Sequence, residues 1–110
     1  MKYTTILFIL AFIIVSYAYV DVHEHGHRAI ATSHGCTEWE VNNRVFSGNF
    51  VCFEYEDRSE EMVLQEKKLH GTHEVVGYHL FGLIFALFML VYTCVVCYLI
   101  EGKEKKVDEE

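Results

Sequence analysis

Hydrophobic and polar positions divide this chain into two uncharged apolar runs, an alternating middle and a charged end. The later run, Leu80–Ile100, carries no charge over 21 residues. About 20 apolar residues suffice for a helix to cross a hydrocarbon core. Tyr78, His79 and Tyr98 flank the run where amphipathic rings favour an interface. Glu101, Lys103, Glu104, Lys105 and Lys106 then end it abruptly. The pattern predicts a transmembrane helix over Tyr78–Ile100 with a charged tail, Glu101–Glu110, on the cytosolic side.

The earlier run, Ile6–Val20, has a different character. Lys2 precedes it, Ile6–Val15 is continuously apolar, and Ser16 and Ala18 place small residues three and one before a possible cut. This is the layout of a cleavable signal peptide, predicting removal of Met1–Ala18. Left uncleaved, Tyr3–Val20 is just long enough to span, and the chain becomes a two-span hairpin of channel-forming or viral type.

Between the runs, Tyr19–Gly35 shows little periodicity and reads as a flexible, histidine-bearing arm. Cys36–Glu56 alternates twice, with Thr37, Trp39 and Val41 on one side and later Val51, Phe53 and Tyr55. Period-two alternation of valines and aromatics predicts strands. Ser47-Gly48-Asn49 offers a turn, which would pair Phe46 with Val51 and Val45 with Cys52. On that register Cys36 does not face Cys52, so a break at Asn42-Asn43 into a third short strand is favoured. Trp39, Phe46, Phe53 and Tyr55 are expected to share one apolar cluster. Asp57–His70 predicts a short helix, with Ser59 or Asp57 as cap, Glu60 and Glu61 early, and Lys67, Lys68 and His70 late. Gly71 is expected to close it, leaving a connector to the span.

The expected fold is therefore a small membrane protein. A signal peptide is followed by an α+β exterior domain over Cys36–Gly77, a short β-hairpin or three-strand meander plus one helix, and then a single transmembrane helix.

Charge and cysteines refine this picture. The formal net charge is −7, and Tyr19–His79 holds eleven acidic against five basic residues. A nucleic-acid binder needs a basic face, so the acidic balance argues against that class. Cys36 and Cys52 are the only cysteines outside the spans. The secretory route is oxidising, so they are expected to form a disulfide, adding on the order of 3 kcal/mol to a domain otherwise too small to hold a core. The expected location is a secretory-pathway membrane or the cell surface.

Candidate chemistry lies in three places. His23, His25 and His27 alternate, and on an extended chain they would project to one side. With His34 nearby they form a possible metal set, imidazole suiting zinc or copper. His70 and His73 make a second pair beside Glu74, read as interfacial polar residues. Within the span, Gly82 and Ala86 form a small-xxx-small face permitting close helix approach, and Cys97, three residues after Cys94, is a possible palmitoylation site. No nucleophile–base set appears, and little room is expected for a substrate cleft, so an enzyme is not expected. The leading reading is a type I single-pass interaction protein. It would be an accessory or assembly subunit whose integral membrane partner, another protein or a second copy, meets the transmembrane helix and exterior domain. The alternative is a membrane-anchored zinc- or copper-handling protein.

Overall fold

The computed structural model describes all 110 residues. Its elements are α1 (Lys2–Ser33), β1 (Cys36–Asn43), β2 (Gly48–Tyr55) and α2 (Glu60–Asp108). The two helices lie antiparallel, and the molecule measures 78 × 20 × 14 Å.

Both helices are longer than the pattern predicts. The segment read as a flexible arm is helical up to Ser33. It contains no proline, and its face toward the rest of the molecule, Val20, Glu24, His27 and Ala31, is buried. Tertiary packing thus supplies what weak periodicity does not. Gly35 ends this helix at φ +96°, a conformation that glycine adopts without steric cost. Its carbonyl accepts from Glu56 N at 2.9 Å, tying the end of β2 to the turn.

α2 begins where expected. Ser59 Oγ accepts from Met62 N at 3.3 Å, with Glu60 and Glu61 in the first turn. It does not stop at Gly71, and the expected connector is helical, so one helix runs from beside the hairpin to the charged tail. A lone glycine costs a helix only about 1 kcal/mol, too little to break a segment that neighbouring contacts hold.

The sheet has two antiparallel strands and no third. The closing pair is Asn43–Gly48, and Trp39 faces Cys52. The loop is Arg44–Ser47, closed by Arg44 N donating to Ser47 O at 2.7 Å, so the expected Phe46–Val51 register is corrected. An irregularity on either side of Glu38 shifts β1 locally. It lets Cys36, paired with Tyr55, reach Cys52 with a Cα–Cα distance of 6.2 Å, and the predicted disulfide is present. A bulge, not a third strand, resolves the misfit.

The expected aromatic cluster is dispersed. Trp39 packs under Arg28, Tyr55 under Arg58, and Phe46 reaches Phe12 on α1, while Phe53 is exposed. The hairpin folds back along α1 and is held there at its loop end. Asn43 Nδ2 donates to Asp21, and a Cβ on Gly48 would lie 2.8 Å from Val20 Cγ1.

Along their apolar lengths the helices meet through aromatic rings. Phe12 contacts Phe81, Phe85 and Phe88, Phe8 contacts Tyr92, and Thr5 Oγ1 lies 3.1 Å from Tyr92 Oη. Both helices are long and apolar enough to cross a membrane. Leu83, Leu87 and Leu90 face outward, each about 60 % exposed, so the apolar surface is turned out rather than gathered into a core.

Candidate functional site

A helix repeats every 3.6 residues, so residues four apart stack and residues two apart diverge. His23 and His27 therefore share one face of α1, while His25 points elsewhere. Its Nε2 lies 3.4 Å from Asp21, its ring meets Trp39, and its Nδ1 is buried without a partner. His34 turns back on its own helix end, where Nδ1 donates to Ile30 O at 2.7 Å. The expected set of His23, His25, His27 and His34 is thus split, because its premise of an extended chain does not hold.

Two of its members join the other motif instead. The antiparallel pairing brings His23 and His27 against His70, His73 and Glu74 of α2. His23 and His73 stack at 4.4 Å between ring centroids, and His27 stands edge-on to both at 4.9 and 4.6 Å. One ring nitrogen from each of His23, His27 and His73 falls within 4.8 Å of the others. Glu74 Oε1 accepts from His27 Nε2 at 2.6 Å and from His23 Nε2 at 3.4 Å. His73 Nε2 donates to the carbonyl of His23 at 2.7 Å. That oxygen can only accept, so in the neutral ring Nδ1 of His73 carries the free lone pair.

Glycine makes this convergence possible. A Cβ on Gly26 would lie 2.5 Å from His73 Nε2, and one on Gly77 would lie 2.5 Å from His23 Nδ1. Each helix therefore offers a bare backbone position to the imidazole of the other.

A second polar group adjoins the first. Glu66 is buried and accepts from Tyr55 Oη at 2.7 Å, from Arg58, and from His70 Nε2 at 3.2 Å. His70 Nδ1 faces His27 Nδ1 at 2.7 Å, which links the two polar groups. Between hairpin and helices lies a cavity of about 390 Å³, lined by Glu24, His27, Tyr55, Glu66, His70 and Glu74. The chain thus has more room beside its polar groups than its length suggests.

The electrostatics follow from burial and contacts. Burial pushes His27 down, and nearby His73 and His70 add to this against the opposing effect of Glu74. His27 is thereby favoured as a neutral donor ring. Burial also raises Glu24, with the charge of Glu74 adding to it. For Glu74 burial acts upward, but the hydrogen bonds from His27 and His23 outweigh it and the carboxyl is lowered. Glu66 is likewise lowered, the bonds from Tyr55, Arg58 and His70 overcoming its burial.

Gly82 and Ala86 lie on an exposed part of α2, with nothing within 4 Å of a Cβ built on Gly82. Cys94 and Cys97 are exposed free thiols. Sequence reasoning flagged both histidine motifs but kept them apart. The available signal was their symmetry, since each abuts the polar side of an apolar run, and antiparallel helices bring such positions to one height. No protein family, characterised protein or solved structure matches this chain.

Proposed function

We propose that this chain is a membrane-anchored interaction protein, an accessory or assembly subunit that works by binding rather than by catalysis. α2 is its permanent anchor, and the disulfide-bonded hairpin is its exterior cap. The carrying observation is that α1 occupies only one face of α2, the face of Phe81, Phe88 and Tyr92. The face bearing Gly82 and Ala86 is left open, although small residues there allow a neighbouring helix to approach closely. On the type I reading, removal of Met1–Ala18 also bares the aromatic face, and a partner helix takes the place of the removed part of α1, while Tyr19–Ser33 stays on α2.

Mild-detergent extraction followed by sizing tests this. The wild-type chain should run in a complex, and Gly82→Leu with Ala86→Leu should release the monomer. A monodisperse wild-type monomer with no companion protein would overturn the reading.

The two-span topology has a specific observation in its favour. Phe12 packs against three rings of α2, and α1 runs without a break through Ser16, which is buried beside the expected cut. N-terminal sequencing separates the topologies: a start at Tyr19 supports type I, and an intact Met1 supports two spans.

A further inference from the structure

The geometry assigns a transition-metal site to His23, His27 and His73, with the Glu74 carboxylate as the fourth ligand, at the junction of the two helices just beyond their apolar runs. The site goes beyond the proposed partner role. It does not depend on the topology either, because all four residues follow Ala18.

Four features of the chain argue for it. The donor set, three imidazoles and one carboxylate, matches the preference of zinc and copper(II) for nitrogen with some oxygen. A hard cation such as magnesium or calcium instead takes six or more oxygens. The donor spacing is close to that of one coordination sphere, with Glu74 Oε1 already 2.6 and 3.4 Å from two of the rings. Tetrahedral ligands about 2.0–2.1 Å from a zinc ion stand roughly 3.4 Å apart, so closing the sphere draws the imidazole nitrogens together from within 4.8 Å and turns the stacked His23 and His73 rings toward a common point. One ring is held from outside the sphere: the carbonyl of His23 accepts from His73 Nε2, which leaves Nδ1 as that ring's free donor atom. Finally, Gly26 and Gly77 clear the space that the His73 and His23 rings fill.

The site also answers an energetic need. Few apolar side chains are buried in the cap, namely Val20, Ala31 and Cys36. Three imidazoles crowded beside one carboxylate make a poor substitute for a core. A divalent ion would bridge the helices, displacing the protons that His23 and His27 share with Glu74. The adjoining polar cavity of about 390 Å³ provides a route for the ion from solvent.

The test uses the full chain in detergent, stripped with chelator and titrated with Zn²⁺ by calorimetry and with Co²⁺ by visible absorption. The wild type should bind one ion per chain at micromolar affinity or better, with the intense Co²⁺ spectrum of a four-coordinate site. His73→Ala should weaken binding by about 100-fold or more, since even supporting residues around a metal are worth 10–100-fold. His25→Ala should change it by less than about threefold. Trp39 fluorescence reports whether each variant keeps its cap. Should His73→Ala lose it, His73→Cys decides, because a thiolate restores a ligand and should recover zinc affinity. Millimolar wild-type affinity, equal losses in His25→Ala and His73→Ala, or no recovery in a folded His73→Cys would each overturn the assignment.

Discussion

Gly26→Ala measures how closely the two helices approach. In an isolated helix this change stabilises by about 1 kcal/mol, because alanine loses less backbone freedom on folding. Here the new methyl would lie 2.5 Å from His73 Nε2, well inside van der Waals contact. The His73 ring stacks on His23 and is held by the His23 carbonyl, so it cannot swing clear without losing both contacts. Overpacking of this kind costs about 1–3 kcal/mol, and the net effect should be neutral to destabilising by about 2 kcal/mol. Gly71→Ala is the matched control. It is also helical, with nothing within 4 Å of its Cβ position, and should stabilise by about 1 kcal/mol. The propensity gain is common to both, so their difference isolates the packing cost, about 1–3 kcal/mol. Guanidinium unfolding in mild detergent, followed through the single Trp39, reads it. Equal stabilisation by the two substitutions would refute the seating of His73 over Gly26, and the convergence of the histidines with it.

Further outcomes follow from the cap. Replacing both Cys36 and Cys52 by serine should destabilise it by about 3 kcal/mol, seen as a lower guanidinium midpoint for the Trp39 signal. Glu66→Gln weakens its bonds with Arg58, Tyr55 and His70 and should cost roughly 1–3 kcal/mol at neutral pH. Because the Glu66 carboxyl is lowered in the folded chain, its stabilisation is present above its unfolded pKa, about 4.3, and is lost as pH falls through the lower folded value. The gap between wild type and Glu66→Gln should therefore shrink on acidification below about pH 4; a gap constant from pH 7 to 2 would contradict this. Arg28→Ala removes the guanidinium 5.0 Å from the Trp39 ring centre and should cost about 0.5–1 kcal/mol, with a shift in Trp39 emission.

Much of this architecture follows from local pattern. The uncharged run Leu80–Ile100 dictates a long apolar helix whatever surrounds it, Ser59 caps α2 through its own hydroxyl, and alternation makes strands of Cys36–Asn43 and Gly48–Tyr55. Cys36 and Cys52 are joined as expected because the two strands they lie on pair with each other.

Tertiary structure decided what depends on distant partners. Strand register departs from the expected one because both possible turns lie within six residues, and the approach of Gly48 to Val20 and Glu24 is not a local property. Val20–Ser33 is helical because its buried face meets the hairpin and α2, which no window of that segment reveals. The histidines show the same division. Their identity is written in the chain, but alternation alone cannot tell a strand, which gathers His23, His25 and His27, from a helix, which drops His25 and stacks His23 on His27. Only antiparallel pairing, with apolar runs side by side and glycine opposite each ring, brings His73 and Glu74 from some fifty residues away to complete the cluster.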